Sequence, residues 1–228
     1  MKTYGVLLCD ADDTIFDFRR AEEVAFQETM RTFDLPDGPD WLAVYSDINR
    51  ALWKAFERGE VTQPVLRVRR FESLLARMDA QRDAAAVAAR YTQALGCCAA
   101  MLPGAQEAVR RWSARVPVVV VTNGIGSVQR GRMERSPIRA YIRGLIISEE
   151  VGAAKPDPRM IEAALRAVGC ADRSRALMLG DSLTSDIAGA EAAGVDSCWF
   201  NPSGAKNESV HRPTYEIRRY EQLDALLD

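Results

Sequence analysis

Gly5-Val6-Leu7-Leu8-Cys9-Asp10-Ala11-Asp12-Asp13-Thr14 is the stretch whose reading decides the fold. Val6 to Cys9 is an apolar run too short for a helix, and it leads straight into carboxylates and a hydroxyl. That is the pattern of a strand buried on both faces and ending in a polar turn. Similar short runs recur at Val118 to Val121, Leu145 to Ile147, Ala176 to Leu179 and Asp196 to Phe200. Helical spacing fills the gaps between the later runs, at Ala105 to Ala114 behind Pro103-Gly104 and at Pro158 to Val168 before Gly169. The alternation predicts a doubly wound, Rossmann-like parallel α/β sheet.

One interval breaks the rhythm, because no convincing strand run lies between Asp10 and Val118. Phe18 to Phe33, Trp41 to Arg58, Pro64 to Met78 and Arg82 to Leu95 show helical apolar spacing, punctuated by Leu35-Pro36-Asp37-Gly38 and by Gly59. The expectation is a helical cap over residues 17–102, inserted into a catalytic core made of 1–16 and 103–228.

Composition narrows the function. With 47% hydrophobic and 27% charged residues the chain can bury a sizeable core. A formal net charge of −2 with interspersed signs offers no basic stripe for a nucleic-acid backbone, so polymeric nucleic acid is not an expected partner. The apolar run after Lys2 is too short for a signal-peptide core, and no run is long enough to span a bilayer. A cytoplasmic protein without a membrane partner is expected. The five cysteines include no CxxC pair and read as small core residues, and His211, the one histidine, lacks the context of a serine or histidine-phosphatase mechanism. The chemistry falls to carboxylates, lysine and hydroxyls.

Four polar clusters follow predicted strands: Asp10-Ala11-Asp12-Asp13-Thr14, Thr122-Asn123-Gly124, Lys155-Pro156, and Gly180-Asp181-Ser182 with Asp186. Each alone reads as a turn, a helix cap or a solvated loop. Jointly, at the edge where open α/β sheets bind ligands, they are hard to obtain from turns and caps.

Asp10-x-Asp12-x-Thr14, Thr122, Lys155-Pro156 and Gly180-Asp181-(x)4-Asp186 resemble the four motifs of haloacid dehalogenase-type phosphatases. The resemblance covers the whole chain and implies a Rossmann-like core with a cap inserted after the first motif. It implies that Asp10 attacks phosphorus to give an aspartyl phosphate, and that magnesium is held by Asp10, the backbone carbonyl of Asp12 and Asp181. Asp186 is expected to act through a metal-bound water or by orienting Lys155. Lys155, the Thr122 hydroxyl and the Asn123 N–H would clamp the phosphate, while Asp12 would protonate the leaving oxygen and later activate water. Dehalogenases of the superfamily lack a carboxylate at that second position, so Asp12 favours phosphate chemistry.

Narrower segments, Asp10-Ala11-Asp12, Ile147 to Pro156 and Cys198-Trp199-Phe200-Asn201, resemble the noncanonical pyrimidine 5′-nucleotidase subfamily. That resemblance implies a small phosphate monoester, a pyrimidine nucleoside monophosphate, as substrate. The chain departs from the pattern at Pro202-Ser203-Gly204 and at Asp13, where glutamate is common. The alternative is a phosphatase for a sugar phosphate or phosphoglycolate. A dinucleotide-binding reading rests on Gly124-x-Gly126 and Glu149, but Gln129 stands where the third glycine belongs. A non-catalytic binding module would normally carry a damaged site. Trp199 reads as a packed strand residue, and Arg67, Arg69 and Arg70 as a solvated helix face.

Overall fold

The computed structural model describes residues 2–227. At its centre lie β1 (Val6–Cys9), β2 (Val118–Thr122), β3 (Ile142–Ile147), β4 (Ala176–Gly180), β5 (Asp196–Phe200) and β6 (Tyr215–Ile217). They form one six-stranded sheet in the order β3-β2-β1-β4-β5-β6, and every pairing is parallel. The expected doubly wound α/β architecture is the one observed. Leu7, Cys9, Val118, Val120, Leu177 and Leu179 pack into one layer with Trp112 and Leu223. Their neighbours Val6, Leu8, Val119, Val121 and Met178 pack into the other with Met160, Ile161 and Leu165. Because successive side chains serve opposite layers and both are apolar, the strands read as unbroken hydrophobic runs. β6 was not expected: Tyr-Glu-Ile is short, and only its last residue is buried.

Between β1 and α5 (Ala105–Ser113) the chain inserts α1 (Phe18–Thr32), α2 (Pro39–Glu57), α3 (Gln63–Arg77) and α4 (Ala84–Cys97). Their starts follow local chemistry. The Asp17 carboxylate accepts from Arg20 N–H at 2.9 Å and the Asp83 carboxylate from Ala85 N–H at 2.9 Å, while α2 and α3 carry proline in the first turn, where its missing N–H costs nothing. The remaining helices are α6 (Gly126–Arg135), α7 (Ser148–Val151), α8 (Arg159–Ala167) and α9 (Ala188–Ala193).

The insert has its own core, in which Tyr45 stacks on Phe71 at 5.2 Å and touches Phe26 and Tyr91. Here the expectation of a solvated arginine face is corrected. Arg69 is exposed and Arg67 pairs with Glu149, but Arg70 is only 1% exposed. Its guanidinium lies 4.7 Å from the Tyr91 ring centroid and donates to Asn49 Oδ1 at 3.1 Å. Asn49 in turn donates to Glu22 at 3.0 Å, so the buried charges are linked through an amide. A planar guanidinium on aromatic faces tolerates burial that an ammonium would not, which helical spacing alone does not reveal.

The two chain crossings between sheet and insert lie side by side. Asp17 N–H donates to Ala100 O at 3.0 Å and Leu102 N–H to Ile15 O at 3.0 Å, with Phe16 and Met101 paired antiparallel between them. α4 then leans on α6 so closely that a Cβ at Gly131 would lie 2.6 Å from Gly96 O.

Candidate active site

Strand order runs outward in both directions from the β1–β4 pair, so a crevice opens beyond the carboxyl ends of those two strands. Asp10 leaves β1 and Asp181 leaves β4 at that crevice. After Asp10 the chain turns sharply, with Asp13 at φ +59°, a conformation that aspartate tolerates better than most residues. The turn is closed by Asp13 N–H to Phe16 O at 2.9 Å and Phe16 N–H to Ala11 O at 2.8 Å. It brings Asp12 back over the crevice.

Lys155 is the hub. Its side chain is buried, and Nζ donates to Asp10 Oδ1 at 2.5 Å, Asp186 Oδ1 at 2.7 Å and Val121 O at 2.7 Å, one acceptor for each ammonium hydrogen. Asn123 fixes the backbone beneath it, accepting from Lys155 N–H at 2.7 Å and donating to Lys155 O at 2.8 Å. The Lys155–Pro156 peptide bond is cis. Asp186 accepts at its other oxygen from Ser182 N–H at 3.0 Å. A side chain at Gly180 would put Cβ 2.3 Å from Asp186 Cγ, so the Gly-Asp pair is a packing requirement as well as a turn. The Thr122 hydroxyl accepts from Gly124 N–H at 3.0 Å, which leaves its own hydrogen to donate. Thr14 Oγ1 lies 3.4 Å from Asp181 Oδ1, and Trp199, packed as expected, donates its indole N–H to Asp181 O at 2.8 Å. Asp10, Asp12, Thr122, Asn123, Lys155, Asp181 and Asp186 thus all line one cleft of about 410 Å³.

The cleft is short of positive charge. Burial pushes the Asp10 carboxyl up to about 7, with Lys155 opposing the shift and Asp186 and Asp12 adding to it. Burial, then the charges of Asp186 and Asp10, hold Asp181 well above the usual carboxylate range. Asp13 is pushed up to about 6, first by burial and then by Asp12. Burial alone would lower Lys155, but Asp10 and Asp186 outweigh it and raise the ammonium. Carboxylate oxygens of Asp10, Asp181 and Asp186 lie within 4.8 Å of one another, a separation at which like charges repel by about 3 kcal/mol at an effective dielectric of about 20. Such a set of hard oxygen donors fits a divalent cation of the magnesium type.

The structure adds residues that the sequence reading did not include. Arg132 Nη1 and Gln129 Nε2 donate to Asp12 Oδ1 and Oδ2, the second at 2.7 Å. The available signal was their spacing, three apart on one helix. From α2, Arg50, Trp53, Lys54 and Glu57 face the carboxylates across the cleft, with Phe18 from α1. Glu149, the acidic residue of the dinucleotide reading, is committed elsewhere, accepting from Gly126 N–H at 2.5 Å and pairing with Arg67.

An open parallel sheet with clustered carboxylates and a buried lysine at its topological switch is a setting for carboxylate and divalent-cation chemistry on a small ligand. The chain belongs to the haloacid dehalogenase-like hydrolase family, whose model matches residues 4–194. It is 33% identical to the pyrimidine 5′-nucleotidase PynA of Streptococcus pneumoniae, over 99% of this chain and 95% of that protein. It is 34% identical to the pyrimidine 5′-nucleotidase YjjG of Escherichia coli, over 96% of this chain and 95% of that protein. Among solved structures, the magnesium-bound HAD-hydrolase YfnB of Bacillus subtilis superposes with a TM-score of 0.93 at 33% identity, covering both chains completely. Among the described residues no helix is long and apolar enough to cross a membrane.

Proposed function

We propose that this protein is a magnesium-dependent phosphate monoester hydrolase that works through a phosphorylated Asp10, with pyrimidine nucleoside monophosphates as its substrates. The observation that carries this reading is the Lys155 ammonium held between Asp10 and Asp186, while Asp181, whose carboxylate oxygen lies within 4.8 Å of theirs, has no comparable counter-charge. Magnesium, held by Asp10, the Asp12 carbonyl and Asp181, would supply the charge that lets a phosphate dianion approach a carboxylate. The catalytic core is read as 1–16 with 103–228 and the cap as 17–102.

In this reading an Asp10 oxygen attacks phosphorus as the bond to the leaving alkoxide breaks. Asp12 gives that oxygen its proton, then takes one from the water that cleaves the aspartyl phosphate. Lys155, the Thr122 hydroxyl and the Asn123 N–H bear the charge on the phosphoryl oxygens. Asp186 holds Lys155 in place. The leaving group extends toward α2, where Trp53 and Phe18 offer flat apolar faces and Arg50 a cation. The similarity to PynA and YjjG supports a pyrimidine nucleotide there.

A panel of monophosphates assayed with magnesium tests the reading. UMP, dUMP or dTMP should exceed phosphoglycolate and hexose phosphates in kcat/KM. A roughly tenfold preference for phosphoglycolate or a sugar phosphate, about 1.4 kcal/mol of discrimination, would overturn the nucleotidase assignment and leave the phosphatase assignment standing.

A further inference from the structure

Asp12 does not stand free over the cleft. α6 presents Gln129 and Arg132 on one face, and each takes one oxygen of the Asp12 carboxylate. Arg132 is 0% exposed and Gln129 2% exposed, so both donors come from the interior. The same guanidinium donates through Nε to Cys98 O at 3.2 Å and lies 4.5 Å from the centroid of the Phe16 ring. Phe16 belongs to the outgoing crossing between sheet and insert, and Cys98 caps α4 just before the returning one.

This arrangement is costly as packing. Among the described residues Arg132 Nη2 and Gln129 Oε1 are buried without a hydrogen-bond partner, and the fully buried guanidinium gives up its hydration for one ion pair, one carbonyl and one ring face. An apolar side chain would fill the same space without leaving polar atoms unmatched. The backbone also accommodates it, since a Cβ at Gly124 would lie 2.2 Å from Gln129 Nε2. Gly124 therefore clears the path by which Gln129 reaches Asp12.

We propose that Arg132 and Gln129 are positioning residues for Asp12: together they fix the plane of its carboxylate, and Arg132 references that plane to the crossing at Phe16 and Cys98. The inference rests on Asp12 being the proton-transfer group. Two donors from one rigid helix leave the carboxylate little rotational freedom, which is what a group that must meet a leaving oxygen within hydrogen-bond reach requires. Neither residue lines the cleft that holds Asp10, Lys155 and Asp181.

The test separates positioning from general structural support by the leaving group. First-step rates are measured by rapid mixing for Arg132→Met, Arg132→Lys and Gln129→Met with UMP, whose alkoxide needs a proton, and with p-nitrophenyl phosphate, whose leaving group barely does. If UMP is not turned over, β-glycerophosphate takes its place. Arg132→Met should lose about a hundredfold with the alkyl ester and less than about threefold with p-nitrophenyl phosphate. Gln129→Met should show the same selectivity at about tenfold, and Arg132→Lys should recover part of the loss. Adding Arg132→Met or Gln129→Met to Asp12→Asn should cost nothing further with the alkyl ester. Equal losses on both substrates, or an undiminished loss in the Asp12→Asn background, overturn the proposal. If Arg132→Met does not fold, Gln129→Met, a smaller change, decides by the same criteria. If Asp12→Asn itself shows no leaving-group selectivity, the role of Asp12 fails. If it does and the two α6 variants do not, only the positioning role fails.

Discussion

Replacing Asp181 by asparagine should make the metal-free protein more stable at neutral pH while abolishing its activity. In the native cleft Asp181 is held protonated far above the 3.8 of an ordinary aspartate, by burial and by Asp186 and Asp10. The unfolded chain releases that proton near 3.8. For a group whose folded pKa is raised, the native state holds the extra proton, so stability is complete below the unfolded pKa and is lost as pH rises toward the folded one. The loss accumulates at about 1.4 kcal/mol for each pH unit between the unfolded and folded values. The repulsion among carboxylate oxygens within 4.8 Å of one another is about 3 kcal/mol at an effective dielectric of about 20, and after further screening by water in the open cleft Asp181→Asn should recover about 1–3 kcal/mol. Asparagine has no proton to take up and relieves Asp10 and Asp186 as well, so the difference between the variant and the wild type reports this set of coupled carboxylates. Urea unfolding in EDTA at about pH 5.5 and about pH 7.5 should show Asp181→Asn more stable at the higher pH, with a smaller advantage at the lower. Saturating magnesium should reverse the order, because it binds the wild-type native state. A wild type that is more stable than Asp181→Asn without metal at the higher pH, or a difference independent of pH, would refute the reasoning.

EDTA should abolish turnover and magnesium restore it, and full activity in excess chelator would remove the metal from the mechanism. Asp10→Asn should give no burst of p-nitrophenolate in rapid mixing, whereas Asp12→Asn should give up to one equivalent per enzyme and then stall; a burst from Asp10→Asn would reassign the nucleophile. Trp53→Ala should raise KM for UMP by about tenfold with little change in kcat, the mark of binding shared by ground and transition states, and an unchanged KM would place the base elsewhere. Gly131→Ala should cost about 1–3 kcal/mol in urea unfolding, because the added Cβ meets a backbone oxygen of Gly96 at 2.6 Å and cannot turn aside.

The sheet was legible because both of its faces are buried, which writes each strand as an apolar run, and because the polar clusters stand directly after those runs. Insert helices were legible from helical apolar spacing punctuated by Leu35-Pro36-Asp37-Gly38 and by Gly59. β6 was not, since three residues on an edge carry too little periodicity to separate from a loop. Asp10, Thr122, Asn123 and Asp181 stand at strand ends, where position follows from topology, while Asp12, Lys155 and Asp186 lie further along and were named through the resemblance to the four phosphatase motifs. Arg132 and Arg70 could not. A charged residue on a helix reads as solvated unless its partner is known, and their partners, Asp12 and Asn49, lie across tertiary contacts with no spacing to announce them. Gln129 was noticed only as a missing glycine, although its amide occupies the place for a reason.

The antiparallel pairing of Phe16 with Met101 means that the chain leaves the sheet and returns to it within about one strand spacing, roughly 5 Å. A folded segment whose own ends lie that close can be spliced in at so narrow a neck with little loop-closure entropy imposed on its host, whereas a flexible one would impose a cost that grows with its length. The helices over the cleft are therefore exchangeable in principle. Residues 18–99 could be replaced by a foreign helical segment with adjacent ends, or by a tight turn, without re-registering a single strand. Such a graft would lose the close approach of Gly96 to Gly131, the Arg67–Glu149 pair and the bond between Arg132 and Cys98 O, so a transplanted lid would have to supply a carbonyl at the last of these to meet the helix that grips Asp12.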